Sequence, residues 1–247
     1  MEKNSNGNWA KRLGKEVLGT NTAALTVDTR TWGEGIHQVK VTTKDAAGNA
    51  TSTTAQFTVD NTQPTATVKT GTGFTIGSSG TYQKVSYSLY DAYEIDKVVI
   101  NGVTKDLSNN RYGDVNFITK GVFGAVEGQN TIVVYDVAGN SQSYTFIIDQ
   151  QAPVATAASV DGPVKSLDGV AKLSLTLQDE SANIASAKYT LYDDVTDEVI
   201  KKNVAISGAY GTKVVDLSAD IDVSTLPAGQ YRVQLHFNDT AGNQGKK

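Results

Sequence analysis

The chain has 247 residues, 39% hydrophobic and 19% charged, the balance of a globular protein rather than a disordered one. A formal net charge of −4 and a sequence pI near 5.2 provide no basic stripe, so neither a nucleic acid nor an anionic membrane is expected as a partner. The absence of cysteine removes disulfides, thiolate metal sites and cysteine nucleophiles together.

In chain order, the opening Met1 to Gly14 has no apolar run of export-signal length, and no later stretch approaches the roughly 18 apolar residues of a membrane helix. No membrane insertion is expected in this segment, and any export signal or anchor is expected outside it. His37, Val39 and Val41 alternate with polar residues, the period of a strand with one buried face. They lead into Asp45-Ala-Ala-Gly48-Asn49, and an alternating run from Phe57 then exits through Asp60 to Pro64. Strands are expected at Val85 to Tyr90, with Ser86 and Ser88 on the wet face, and at Ile95 to Ile100, followed by a two-residue turn at Asn101-Gly102. Further strands are expected at Thr131 to Tyr135 and Tyr144 to Ile148, the latter exiting through Asp149 to Pro153. Leu173, Leu175 and Leu177 alternate in the next stretch, and Tyr231, Val233 and Leu235 in the last. Helical periodicity is absent, so the chain reads as all-β.

One motif, Asp-x-Ala-Gly-Asn, occurs three times, at Asp45, Asp136 and Asp239, separated by 91 and 103 residues. That period exceeds helical solenoid repeats and matches one small sandwich domain per copy. The Asp60…Pro64 and Asp149…Pro153 segments read as domain exits, because proline lacks a ladder donor and stiffens a junction. The expected organisation is a partial domain over 1–62 whose first strands are missing, a complete one over 63–151, and one over 152–247 that stops before a final strand can form.

At these turns and exits the chain resembles tandem bacterial immunoglobulin-like domains of large cell-surface proteins and adhesins. The resemblance implies tandem Greek-key β-sandwiches of about seven strands each, often with calcium at the junctions. It implies an extracellular or cell-surface location, with neighbouring Ig-like repeats of the same polypeptide as the main partners.

Nucleophilic catalysis needs a base, and the two histidines do not supply one. His37 holds the position that Tyr231 holds in the third repeat, where a corner residue ties a strand start to the preceding chain. His236 alternates onto an outward face. No enzyme is expected. In the repeated turn, Gly and Asn suit a tight reversal needing positive φ, but an Asx turn alone would accept Ser or Asn as readily as Asp. Sandwich topology brings the loop after the second strand and the loop before the last to the end where a domain begins. There Asp60, Asp91 and Asp136 are expected to meet, and likewise Asp149, Asp179 and Asp239, as calcium sites at the two junctions. The competing reading is an Asx turn with solvated loop acids.

The function expected is that of a structural spacer of a secreted or cell-surface bacterial protein, supporting adhesion to a host or cell-surface glycan or protein. The alternative is a carbohydrate-binding accessory segment of a secreted glycoside hydrolase. Tyr90, Tyr93, Trp9 and Trp32 are its candidate sugar-stacking residues.

Overall fold

The computed structural model describes residues 2–3, 9–11, 28–71, 73–164 and 169–247, and all regular structure among them is β-strand. The first unit pairs β1 (Glu2–Lys3), β2 (Trp9–Lys11), β3 (Gly35–Lys44) and β4 (Ala50–Val59) in the order β2-β1-β3-β4. Glu2 lies opposite Val39, so a short piece of upstream sheet is present where opening strands were expected to be missing. The stretch from Ala23 to Val27, where the repeat match begins, lies outside the described residues. Trp32 is buried here, its ring 5.3 Å from Phe57 and 5.0 Å from His37, whereas Val41 faces solvent.

The middle unit holds β5 (Thr65–Val68), β6 (Ile76–Ser78), β7 (Thr81–Ile100), β8 (Val103–Ile118), β9 (Gly128–Asp136) and β10 (Ser141–Ile148). The two strands expected at Val85–Tyr90 and Ile95–Ile100 are one continuous strand. Residues 87–90 of β7 pair with β5, and residues 95–100 pair with β9. Its pairing with β8 slips between Tyr90 and Ile95, so the chain stays extended while changing partners. Val85, Tyr87 and Leu89 are buried as their alternation requires. Ser86, expected on the wet face, is buried as well. Its hydroxyl donates to the Phe74 carbonyl at 2.8 Å and accepts the Phe117 N–H at 2.9 Å, which satisfies it under that cover. Asn101-Gly102 turns from β7 to β8 with both residues at positive φ (46° and 86°), as an Asn-Gly hairpin demands. Strand β10 closes the core. It runs antiparallel to β9 over its whole length, then parallel to Thr81 and Tyr82, with Phe146 and Ile148 fully buried. Each such side chain contributes about 1.5–3 kcal/mol.

The third unit has two facing sheets, β11-β12-β15 and β14-β13-β16-β17. The strands are β11 (Val154–Val160), β12 (Val170–Gln178), β13 (Ile184–Asp193), β14 (Val199–Ala205), β15 (Val214–Asp222), β16 (Tyr231–Asp239) and β17 (Gln244–Lys246). Leu173, Leu175 and Leu177 from one sheet and Tyr189, Leu191, Leu235 and Phe237 from the other form the core. A final strand does form, contrary to expectation. The Asp239 turn sends the chain straight back onto β16, and β17 pairs with His236, Phe237 and Asn238.

Candidate metal centres at the unit junctions

Each Asp-x-Ala-Gly-Asn segment folds as the same turn. Gly48, Gly139 and Gly242 sit at φ of +92°, +92° and +94°, the region where a Cβ is strained. The asparagine works differently from the expectation that it tolerates positive φ, because none of the three appears among the positive-φ residues. Its N–H donates to one oxygen of the aspartate and its side-chain amide to the other. These bonds are 2.8 and 2.7 Å at Asp45, 2.8 and 2.8 Å at Asp136, and 2.9 and 3.0 Å at Asp239. In the second and third copies the same amide also reaches the preceding linker, donating to the Asp60 and Asp149 carbonyls at 3.1 Å in both cases.

That strap brings each linker aspartate to the turn. Asp60, Asp91 and Asp136 form one group and Asp149, Asp179 and Asp239 another, each offering carboxylate oxygens that lie within 4.8 Å of one another. These are the six residues named from the sequence, in the same two sets. Asp91 sits inside β7, at the slip between partners, rather than in a loop. Asp45 joins no such group among the described residues.

The division of labour within the carboxylates combines both sequence readings. The Oδ1 atoms of Asp60, Asp91 and Asp149 each accept a backbone N–H two residues on, from Thr62, Tyr93 and Gln151, and Asp179 Oδ1 accepts from Ser181 and Ala182. Those bonds are the Asx turns. The second oxygens of Asp60, Asp91 and Asp149 are buried and accept no hydrogen bond. A buried carboxylate oxygen left unpaired carries a desolvation cost, and three acids held this close repel one another. Serine or asparagine would close the turn, but neither would present the second charged oxygen. The set is all oxygen, anionic and drawn from three chain segments, which fits a hard dication such as Ca²⁺ rather than a soft metal.

The electrostatics follow. Burial, then the neighbouring acid charges, pushes Asp149 up to about 7, and Asp60 and Asp239 rise for the same reasons. Asp45 makes the same turn bonds as Asp239, yet lies below the ordinary carboxylate range, because it is exposed and its bonds from Asn49 dominate.

Glu34 and Glu127, each preceding the glycine that opens β3 or β9, escaped sequence reasoning. Glu34 accepts the Asn61 N–H at 3.1 Å and Glu127 the Gln150 N–H at 2.9 Å, so each fixes the residue after a linker aspartate. The shared Glu-Gly before each strand was the legible signal. His37 Nε2 bonds the Gly33 carbonyl at 2.6 Å, as the Tyr231 hydroxyl donates to Pro227 at 2.7 Å, each four residues back. In the middle unit the buried Asn130 does this work, donating to the Val126 carbonyl at 2.9 Å. His236 is half-buried beside Gln234, and Trp32 is too buried to stack a sugar. The side chain of Trp9 lies outside the described residues.

Among solved structures, the chain is similar to a tetra-tandem repeat in the extending region of a large adhesion protein. The two are 23% identical, and the match covers 90% of this chain and 57% of that one with a TM-score of 0.35. It is also similar to dimeric latent PorU from Porphyromonas gingivalis (14% identity, 87% of this chain, 23% of that chain, TM-score 0.28). A third is the Bacteroides ovatus mixed-linkage glucan utilization locus protein SGBP-B in complex with a mixed-linkage heptasaccharide (16% identity, 92% and 55% covered, TM-score 0.22). The chain thus spans little more than half the length of the first of these. No curated protein matches it. The pattern of the bacterial Ig-like domain family matches residues 150–246, the unit with two facing sheets and the third Asp-x-Ala-Gly-Asn turn, so this unit is similar to bacterial Ig-like domains.

Proposed function

We propose that the chain is a non-catalytic structural segment of a bacterial cell-surface or secreted protein, in which calcium at each junction locks one Ig-like unit to the next. The observation that carries this reading is the pair of acid groups, each joining a linker aspartate to two aspartates of the following unit, with a buried, unpaired oxygen on Asp60, Asp91 and Asp149. A dication there neutralises mutual repulsion and converts a hinge into a stiff joint, which suits a spacer that holds an adhesive partner away from the cell. Binding by the folded state alone stabilises it by about 2.7 kcal/mol at a hundredfold excess over the dissociation constant. The histidines fit structural roles, since both are held within their strands by local bonds. The test is small-angle scattering and thermal melting of the full chain in millimolar calcium and in chelator. Calcium should lengthen and stiffen the particle and raise both junction-linked transitions; identical profiles would remove the proposal.

The carbohydrate-binding alternative has one observation in its favour. Tyr90 and Tyr112 lie opposite each other on β7 and β8, ring centroids 5.2 Å apart and 41% and 71% exposed. Binding on a glycan array that vanishes with Tyr112→Ala would favour it.

A further inference from the structure

A bulge in β8 turns an apolar side chain outward. Val85 lies opposite Ile118 and Tyr87 opposite Val115, so β8 carries one residue more than β7 between these two pairs. Val115 and Ile118 can then both point into the core, where each is fully buried, and Phe117 is turned out, 50% exposed and at φ +63°. For a bulky residue that backbone region is strained, and strain of this kind gathers at binding sites. Ser86 holds it in place. Its buried hydroxyl accepts the Phe117 N–H and donates to the Phe74 carbonyl, its N–H donates to Thr75 Oγ1 at 3.2 Å, and its carbonyl accepts the Lys69 N–H at 2.8 Å. One covered serine thus fixes Lys69, Phe74 and Thr75 against the bulge.

The product is a pair of rings, Phe74 and Phe117, parallel to within 2° with centroids 5.9 Å apart. Lys69 Nζ lies 4.4 Å from the Phe74 centroid and Lys84 Nζ 5.3 Å from that of Phe117. Lys69 is paired with Asp114 at 3.0 Å, whereas Lys84 enters no ion pair among the described residues. The stack therefore presents an aromatic surface and an unneutralised ammonium side by side on the outer face of the sheet, in a chain whose net charge is −4.

We propose that this face binds an acidic saccharide. The apolar side of the sugar ring packs on the exposed Phe117 ring, and the sugar's carboxylate pairs with the Lys84 ammonium beside it. A phenyl ring has no hydrogen-bonding group with which to hold a neutral sugar, so the charge pair supplies the selection. Tyr90 lies four residues beyond Ser86 on β7, about 13 Å away, so the tyrosine pair is a separate surface. This inference rests neither on calcium nor on the spacer reading.

The probe is an array of uronic-acid and sialic-acid saccharides, each beside its carboxyl-reduced counterpart, read with the full 247-residue chain. The parent should bind acidic members at least tenfold more tightly than their reduced forms. Phe117→Asn removes the ring but keeps a residue that tolerates positive φ, and Lys84→Gln removes the charge from a surface side chain without touching the bulge. Each should lower the affinity for the acidic members at least tenfold. A chain that binds no acidic saccharide, or binds acidic and reduced forms equally, overturns the proposal, as does binding that survives either substitution. Binding lost with Tyr112→Ala but kept with Phe117→Asn overturns it in favour of the tyrosine pair.

Discussion

The side-chain amide of Asn243 donates to the main-chain carbonyl of Asp149, 94 positions earlier, at 3.1 Å, and Asn140 makes the same bond to Asp60 across 80 positions. One residue thereby closes its own turn and ties that turn to the linker entering its unit, which makes the turn and the junction a single structural device. The repeated asparagine is needed for its amide rather than for its tolerance of unusual backbone angles.

Replacing Asn243 with Ala removes two side-chain bonds, one to Asp239 Oδ2 and one to the Asp149 carbonyl. At about 1 kcal/mol per bond, the third unit should lose roughly 1–2 kcal/mol, in calcium and in chelator alike. Calorimetric melting of the full chain checks this, with Asn49→Ala as a comparison, since Asn49 bonds Asp45 in an exposed turn.

Asp149→Asn should change sign with the medium. The amide still closes the Asx turn through its carbonyl oxygen but carries no charge, so in chelator it relieves repulsion with Asp179 and Asp239 and raises the melting temperature. In calcium the variant should melt below the parent, having lost a ligand. A variant that melts below the parent in both media would mean that a bond between the Asp149 and Glu127 carboxyls outweighs the repulsion.

The pH dependence in metal-free buffer follows from the raised carboxyls. Asp149 is pushed up to about 7 by burial and by its neighbours' charges, and Asp60 and Asp239 are raised as well. A carboxyl whose folded value lies above its unfolded value, about 4, favours folding most when both states are protonated, and that contribution is lost as pH rises from about 4 to about 7. Metal-free melting temperatures should therefore fall across that window relative to Asp149→Asn. Calcium binds the ionised form, so the stabilisation it provides should grow over the same window.

Gly77 tests the contact between the middle unit and the third. At φ +109°, a Cβ there would sit 2.4 Å from the Thr81 carbonyl oxygen, 2.7 Å from Tyr82 Cα and 3.2 Å from the Ala241 carbonyl oxygen of the third unit's turn. The first two contacts are with backbone that cannot swing away, so Gly77→Ala should cost about 2–3 kcal/mol. Gly80, at φ +86° with open space around it, should cost about 1–2 kcal/mol on substitution, for backbone strain alone. Chemical denaturation of the two variants separates these terms.

Strand periodicity and the repeated turn made the architecture and both aspartate groups legible, because alternation reports burial and identical turns report equivalent positions. What stayed hidden depended on side chains acting across strands. Ser86 belongs to the polar phase of its strand, yet is covered by the segment around Phe74 and satisfied there. Asp91 lies within a strand because β7 changes partners without reversing, and nothing in its local composition marks that slip. Glu34 and Glu127 look like solvated acids until the exit residues they hold are in place.

The central claim is that each acid group is one calcium site. Isothermal titration of the full chain with calcium tests it most directly. The account predicts two sites, with Asp91→Asn deleting one and Asp179→Asn deleting the other, and with no calcium response left in the double variant. A parent chain that gives no binding heat in millimolar calcium and melts identically in chelator would contradict it, leaving the six aspartates as turn formers alone.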